Sequence, residues 1–561
     1  GSIPVTGEQS LSSSLHDAES GTAVSIGGNI AGGIYNAGPT GSGSTVPAAV
    51  ISGNGITPVF VISPSVQTAT TNTPITIGVY TDDTVDPGYS FYNRGNITAA
   101  AIDPNNSTAA VLFGGTSAAS PLTFQGGIFV SGEITAQAST NQVFPTTATA
   151  IQATALSIGS FTTIPKLTVS GEAIGSTSTT QGLIGASVSG IGGGQATAVI
   201  IAPAASLPEI DVLAGGKIEA TSTSPQTIPT SPTALSAVGI VDESGTVKTI
   251  NNAGIISASV TPLTSSPTVQ VLLLAESINL QAATSNGIVI NNSGTITGSI
   301  LMGTAGNGDT LNVGDIGPGN GANPATGVVN TQTNLATVTG SIDFGSGGTT
   351  TDPQLLHIGA WGSVVGAITN TNGTLDVQVD NNGVLNVQNT TAPVGTTAAT
   401  GALIAHDFNV NGGTLDLTLS EATGNSQPII QANDEITISP TSKLGLSFGS
   451  FISGADPLHP TAQQIVLMSS PTLNLDQTTV DNFDVPLEQN LPFLFQANAS
   501  PLTLGTSGSN KTLVLTLTPK SPGATNADGS PGLGLTGDAL QVYPKAVQAV
   551  LLDPQLGSAL A

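Results

Sequence analysis

Gly287-Ile288-Val289-Ile290-Asn291-Asn292-Ser293-Gly294-Thr295-Ile296 is the stretch whose reading decides the fold. Asn252-Ala253-Gly254-Ile255-Ile256 stands 40 residues before its second half, and Gly239-Ile240-Val241 precedes that copy much as Gly287-Ile288-Val289 precedes the later one. Tyr35-Asn36-Ala37-Gly38 and Tyr92-Asn93-Arg94-Gly95-Asn96-Ile97 carry the same kind of turn. Alternating apolar and polar residues around an Asn/Gly turn read as short strands, since neighbouring side chains in a strand face opposite ways. Two further series repeat. One is Gly298-Ser299-Ile300 with Gly340-Ser341-Ile342, each followed by a Gly-rich loop, an Asp and a Leu (Asp309 and Leu311, Asp352 and Leu355). The other is Asn372-Gly373-Thr374-Leu375, Asn382-Gly383-Val384-Leu385 and Gly412-Gly413-Thr414-Leu415. A degenerate period of roughly 20 residues, or its multiples, marks a solenoid. One coil cannot bury its Ile, Val and Leu alone, whereas stacked coils bury them in a continuous column. Roughly 20 to 25 coils would make a rod on the order of 100 Å long. A string of β-sandwich domains is the competing all-β reading.

Composition agrees with a solenoid. Only 7% of the 561 residues are charged, so Ser, Thr, Asn and Gln must cover the surface, while 38% hydrophobic residues suffice for a narrow core. Eight Lys and Arg against 34 Asp and Glu give a net charge of -26. That balance argues against nucleic acid and anionic lipid as partners and leaves room for divalent cations between acidic surfaces. The absence of Cys excludes disulfides, thiol catalysis and Cys-ligated zinc. No apolar run approaches the 18 or so residues of a membrane span; the longest lies near Val271 to Ala275. Pro39 to Pro47 and Thr221 to Pro232 read as loops, and Pro519 to Gly534 as a linker. The expected helix is Lys545 to Leu552, started by Pro544 and ended by Pro554.

The last 150 residues or so resemble the end of a type V autotransporter passenger of the alphaproteobacterial, sphingomonad-like kind. The resemblance rests on the Gly-Thr-Leu coils, Leu491-Pro492-Phe493-Leu494-Phe495, the β stretch Thr512 to Thr518, Lys520-Ser521 and the helix Lys545 to Leu552. The insertion Pro522 to Gly534 departs from the family's direct connection. The resemblance implies an all-β, right-handed parallel β-helix with loop insertions and a short C-terminal helix. It divides the chain into a β-helical passenger over 1–400, a C-terminal folding cap over 401–520, and a linker and helix over 521–561. These would lead toward a membrane barrel that this chain lacks. Phe448, Phe451, Phe483, Phe493 and Phe495 should make the cap the most stable part, with few aromatics elsewhere.

Each candidate site has a plain reading beside a sharper one. Gly115-Thr116-Ser117-Ala118-Ala119-Ser120-Pro121 resembles the serine motif of subtilisin-like proteases, but the next residues, Leu122 to Gly127, read as a strand and turn instead of a long helix. None of His16, His357, His406 and His459 stands in a protease-like setting. Gly306-Asn307-Gly308-Asp309-Thr310-Leu311 resembles one calcium-binding nonapeptide, a site that needs stacked copies; a solvated turn is the plainer reading. Asp82, Asp83 and Asp86 form an exposed candidate calcium site amid Tyr80, Tyr89, Phe91 and Tyr92, rings that could equally pack on their own coil. The single Trp, Trp361, is expected to pack in a core or groove, with sugar stacking as the alternative. No catalytic residue and no cofactor beyond calcium is expected. Taken together, the chain reads as an extracellular surface protein of a Gram-negative bacterium, adhesive or structural and not an enzyme. Its partners would be copies of itself, neighbouring surface proteins or glycans, and the membrane only through the missing barrel. A surface-layer protein forming cation-dependent arrays and a secreted polysaccharide-active enzyme are the alternatives.

Overall fold

In the first unit the chain turns through three or, in the early coils, four short strands per coil, and equivalent strands of successive coils pair in parallel. The computed structural model describes residues 21–542 except 39–47, 68–72, 82–87, 102–105, 142–150, 175–177, 191–193, 225–234, 263–272, 284–286, 304–307, 317–325, 389–401, 420–427, 449–462, 491–494, 497–501, 524 and 527–531. Two units result. The first holds 1–312 with 321–329 and 336–345; the second holds 313–320, 330–335 and 346–561.

In the first unit each coil runs through a first, a second and a third sheet. Strand Glu133–Thr140 shows why the sequence takes this form: Ile134, Ala136, Ala138 and Thr140 are buried, while Glu133, Thr135, Gln137 and Ser139 face outward. Register then stacks like on like. The second sheet aligns Ile97, Ile134, Ile184, Ile218, Ile256, Ile296 and Val338, all fully buried. The third aligns Phe60, Val111, Leu156, Val199, Ile240, Ile278, Ile300 and Ile342. Each such side chain contributes about 1.5–3 kcal/mol by leaving water, and a slip of one residue would turn the column outward. The expected all-β parallel β-helix is therefore what the chain forms.

The turn from first to second sheet must hold a glycine. A Cβ on Gly294 would be driven into the Gly254 carbonyl oxygen, and one on Gly254 into that of Gly216. The preceding asparagine braces the turn. Asn252 and Asn292 are fully buried; each side-chain oxygen accepts the amide N–H two residues on, and Asn252 Nδ2 donates to Asn292 Oδ1 at 2.7 Å.

Several expectations need correction. Ile218, Ile256, Ile296 and Val338 are separated in turn by 38, 40 and 42 residues, so a first-unit coil is a multiple, about twice, of the 20-residue period. Among the described residues the first unit's second sheet has eight strands and the second unit's has four, fewer than the 20 to 25 coils expected. A coil with strands of up to nine residues, such as Gly182–Gly190, uses more chain than a minimal one. The likeness of Gly239-Ile240-Val241 to Gly287-Ile288-Val289 is accidental: Gly239 lies in a third-sheet strand, while Val289 aligns with Thr249 in the first sheet. Gly298-Ser299-Ile300 and Gly340-Ser341-Ile342 do align. Thr221 to Ser224 end the strand Gly216–Ser224 and are not loop; Ser222 is buried and donates to the Gly194 carbonyl. The remainder of that expected loop, and Pro39 to Pro47, lie outside the described residues.

The second unit is built differently. Its first sheet aligns Leu356, Val377, Phe408, Ile436 and Leu473, and its second aligns Val364, Leu385, Leu415 and Leu444. It ends in antiparallel pairing: strand Asn510–Pro519 lies against Gln463–Ser470 and Leu502–Ser507. A helix, Gln477–Asn490, went unforeseen. Asp476 starts it by accepting from the amide and hydroxyl of Thr479, both at 2.7 Å, and it buries Val480 and Phe483. Pro486 hid it from the sequence reading. Residues 537–542 are helical, upstream of the expected start; 545–552 lies outside the described residues. The expected linker folds back on itself: the amides of Leu533, Gly534 and Leu535 donate to the carbonyls of Ser521, Gly523 and Pro522. Aromatics are concentrated in the first unit, where Phe60, Phe91, Phe113 and Phe124 touch ring to ring at 5.1–6.2 Å. Of the five cap phenylalanines, only Phe483 has a described side chain.

Candidate functional site

The outward face of the second unit's first sheet gathers the ionisable residues. Strand Leu375–Val379 turns Asp376 and Gln378 outward. In strand Leu403–Val410 the alternation fails: Ala405 and Phe408 point inward, and His406 and Asp407 between them both stay half-exposed. The cause is a register shift against strand Ile430–Ile438, where Ala405 pairs with Ala432 but Asp407 with Glu435. Such a bulge re-aims side chains.

The result is a cluster of three. His406 Nδ1 lies 3.1 Å from Asp376 Oδ1 and 3.7 Å from Asp407 Oδ2. The Asp407 amide also donates to Asp376 Oδ1 at 3.2 Å. Asp407 Oδ1 is shut off from solvent and accepts no hydrogen bond of normal geometry. Burial pushes the Asp407 carboxyl above the usual carboxylate range; His406 opposes that, the charges of Asp376 and Asp434 add to it, and the Glu435 amide pulls it back. One donor atom from each of Asp376, His406 and Asp407 lies within 4.8 Å of the other two. Nearby, His357 Nε2 meets Asp380 Oδ2 at 2.8 Å, and Gln378 donates to Asp380 Oδ1 at 2.9 Å. From sequence His357 and His406 are weighed only against a protease setting, and nothing links His406 to Asp376 and Asp407, because the register shift that brings these three together has no local signature.

The residues singled out from sequence have these places. Asp309 is fully buried, not a solvated turn group; its Oδ1 accepts the Ile288 amide at 2.9 Å. Asp82, Asp83 and Asp86 lie outside the described residues. Of the tyrosines close to them in sequence, Tyr80 stacks on Tyr35 at 5.2 Å, Tyr89 and Tyr92 meet edge to face at 5.5 Å, and Arg94 lies 5.7 Å from the Tyr92 ring centre. These tyrosines pack on neighbouring coils, with Tyr35 in register with Tyr92 and both Tyr89 and Tyr92 against Phe129. Ser117 sits in a tight bridge with Ser120, and strand Leu122–Phe124 comes next, so no helix opens there. Both described histidines are engaged with carboxylates. Trp361 is half-buried at φ +59°, in the turn position that register equates with Asn382 and Gly412, both also at positive φ.

The first unit offers a contrasting surface. On the second sheet, Gln137, Ser187, Thr221 and Ser259 form one outward row in register, and Ser139, Ser189, Thr223 and Thr261 form the next. Among the described residues, no helix is long and apolar enough to cross a membrane. No family model, curated protein or solved structure matches the chain.

Proposed function

We propose that this chain is a surface-displayed structural or adhesive protein, acting in adhesion or self-assembly outside a Gram-negative cell as an autotransporter passenger. The observation that carries the reading is the pair of in-register rows Gln137–Ser187–Thr221–Ser259 and Ser139–Ser189–Thr223–Thr261. The side chains along these two rows are uncharged, so a second surface can approach the rows without desolvating charge. The partner is a copy of the chain, a neighbouring surface protein or a glycan. Because the net charge is -26, packing of copies would call for divalent cations between them.

Electron microscopy of the purified chain, with and without calcium, tests this. Paired or ordered assemblies should form, and Ser187→Lys with Thr223→Lys should disperse them by placing like charges in the packed rows. Ordered sheets that survive a chelator would remove the cation-dependent array. Single particles under all conditions, together with release of reducing sugar from a polysaccharide panel, would replace the reading with a carbohydrate-active enzyme.

A further inference from the structure

We propose that Asp376, His406 and Asp407 form a binding site for a divalent transition-metal ion of the zinc class. Two carboxylates converge on one imidazole nitrogen. A neutral imidazole carries at most one hydrogen on Nδ1 and can give it to one oxygen only. Asp376 Oδ1, at 3.1 Å, is placed to take it; Asp407 Oδ2, at 3.7 Å, is beyond hydrogen-bond reach. Asp407 Oδ1, meanwhile, is shut off from solvent and meets no donor at normal hydrogen-bond geometry. A cation among the three answers both carboxylates at once.

The geometry suits a small ion. Zinc bound at about 2.0–2.2 Å holds tetrahedral donors about 3.4 Å apart, and the separations of 3.1 and 3.7 Å bracket that value. One imidazole with two carboxylates is a zinc-type donor set, whereas calcium takes six to eight oxygens and no nitrogen. Water would fill the remaining position. The Asp407 amide already orients Asp376 through Oδ1, the kind of outer support that ligating carboxylates receive. With Nδ1 on the metal, the imidazole hydrogen moves to Nε2. The ion would tie strand Leu375–Val379 to strand Leu403–Val410 at the bulge. His357 with Asp380 offers one carboxylate only and serves as the internal control.

The test is calorimetric titration of the full, metal-stripped chain with zinc chloride and, separately, calcium chloride. One tight zinc equivalent is expected. His406→Gln and Asp407→Asn should each weaken it at least tenfold, His357→Gln should leave it in place, and a tenfold excess of calcium should not displace it. Cobalt in place of zinc should give visible absorption bands of a low-coordinate site that vanish in His406→Gln. If His406→Gln fails to fold by circular dichroism, Asp407→Asn decides alone. A wild-type chain that takes up no zinc, or zinc uptake unchanged in the folded variants, overturns the proposal.

Discussion

The asparagine coils of the first unit and the histidine coil of the second display polar side chains on the same kind of sheet, with opposite results. Asn312 donates to Asn291 at 2.9 Å, Asn291 to Asn251 at 2.9 Å, and Asn251 to Asp211 at 2.8 Å. The row ends on Lys166, which forms an ion pair with Asp211. Burial works against the Lys166 charge, but Asp211 outweighs it and holds the ammonium above its ordinary value. A side-chain amide both donates and accepts, so the row can extend from coil to coil; a carboxylate only accepts, so it must terminate on a cation. At His406 two carboxylates meet one N–H, the strand bulges, and an oxygen is left unanswered. Regular repeats use groups that satisfy one another. A break in the repeat leaves unmet demand, and unmet demand is where a ligand is to be sought.

Four measurements would break or sharpen this contrast. The largest effect should come from Gly294→Val, which forces a side chain into the Gly254 carbonyl. It should cost about 3 kcal/mol or more, the upper end for overpacking, read as a lowered urea midpoint for the first unit. Asn291→Leu cuts the amide row in the middle, stranding the Asn312 donor and the Asn251 acceptor. A loss of about 1–3 kcal/mol is expected; an unchanged midpoint would mean that the row is decoration.

The next effect depends on pH. Glu276 is buried, which raises its carboxyl, and the hydrogen bond from Asn279 at 2.8 Å only partly opposes this. The folded state therefore prefers the protonated form. That contribution is complete below the ordinary value of 4.5 and fades as pH rises through the raised one. Glu276→Gln should stay flat where the wild type loses stability above pH 4.5, as shown by the difference between their midpoints across pH 4 to 8. The smallest effect should be His406→Gln in metal-free protein, about 1 kcal/mol or less, since half-exposed ion pairs contribute little. A larger loss would make the cluster part of the scaffold.

Much of the fold was legible. The Gly412-Gly413-Thr414-Leu415 series, the Asn-Gly turns and the low charge together implied stacked strands, and the paired Gly298 and Gly340 motifs share a register. The coil length was not legible, because three strands of similar pattern give a repeat at fractions of the true period. Thr221 to Ser224 read as loop because Ser and Thr suit both turns and outward strand positions. The helix Gln477–Asn490 was hidden by Pro486 and a weak apolar stripe, although Asp476 and Thr479 stood at capping distance. Least legible was the site: His406 and Asp376 are 30 residues apart and meet only through a register shift.

By itself, then, the sequence determined that the chain is all β, that it stacks, and that its surface is polar without being charged. Those properties come from local alternation and composition, which each coil expresses alone. Tertiary structure decided which strands are neighbours, that Asp309 is buried, that tyrosines far apart in sequence pack together, and that one histidine faces two carboxylates. These depend on register between distant coils, a quantity that no single coil carries.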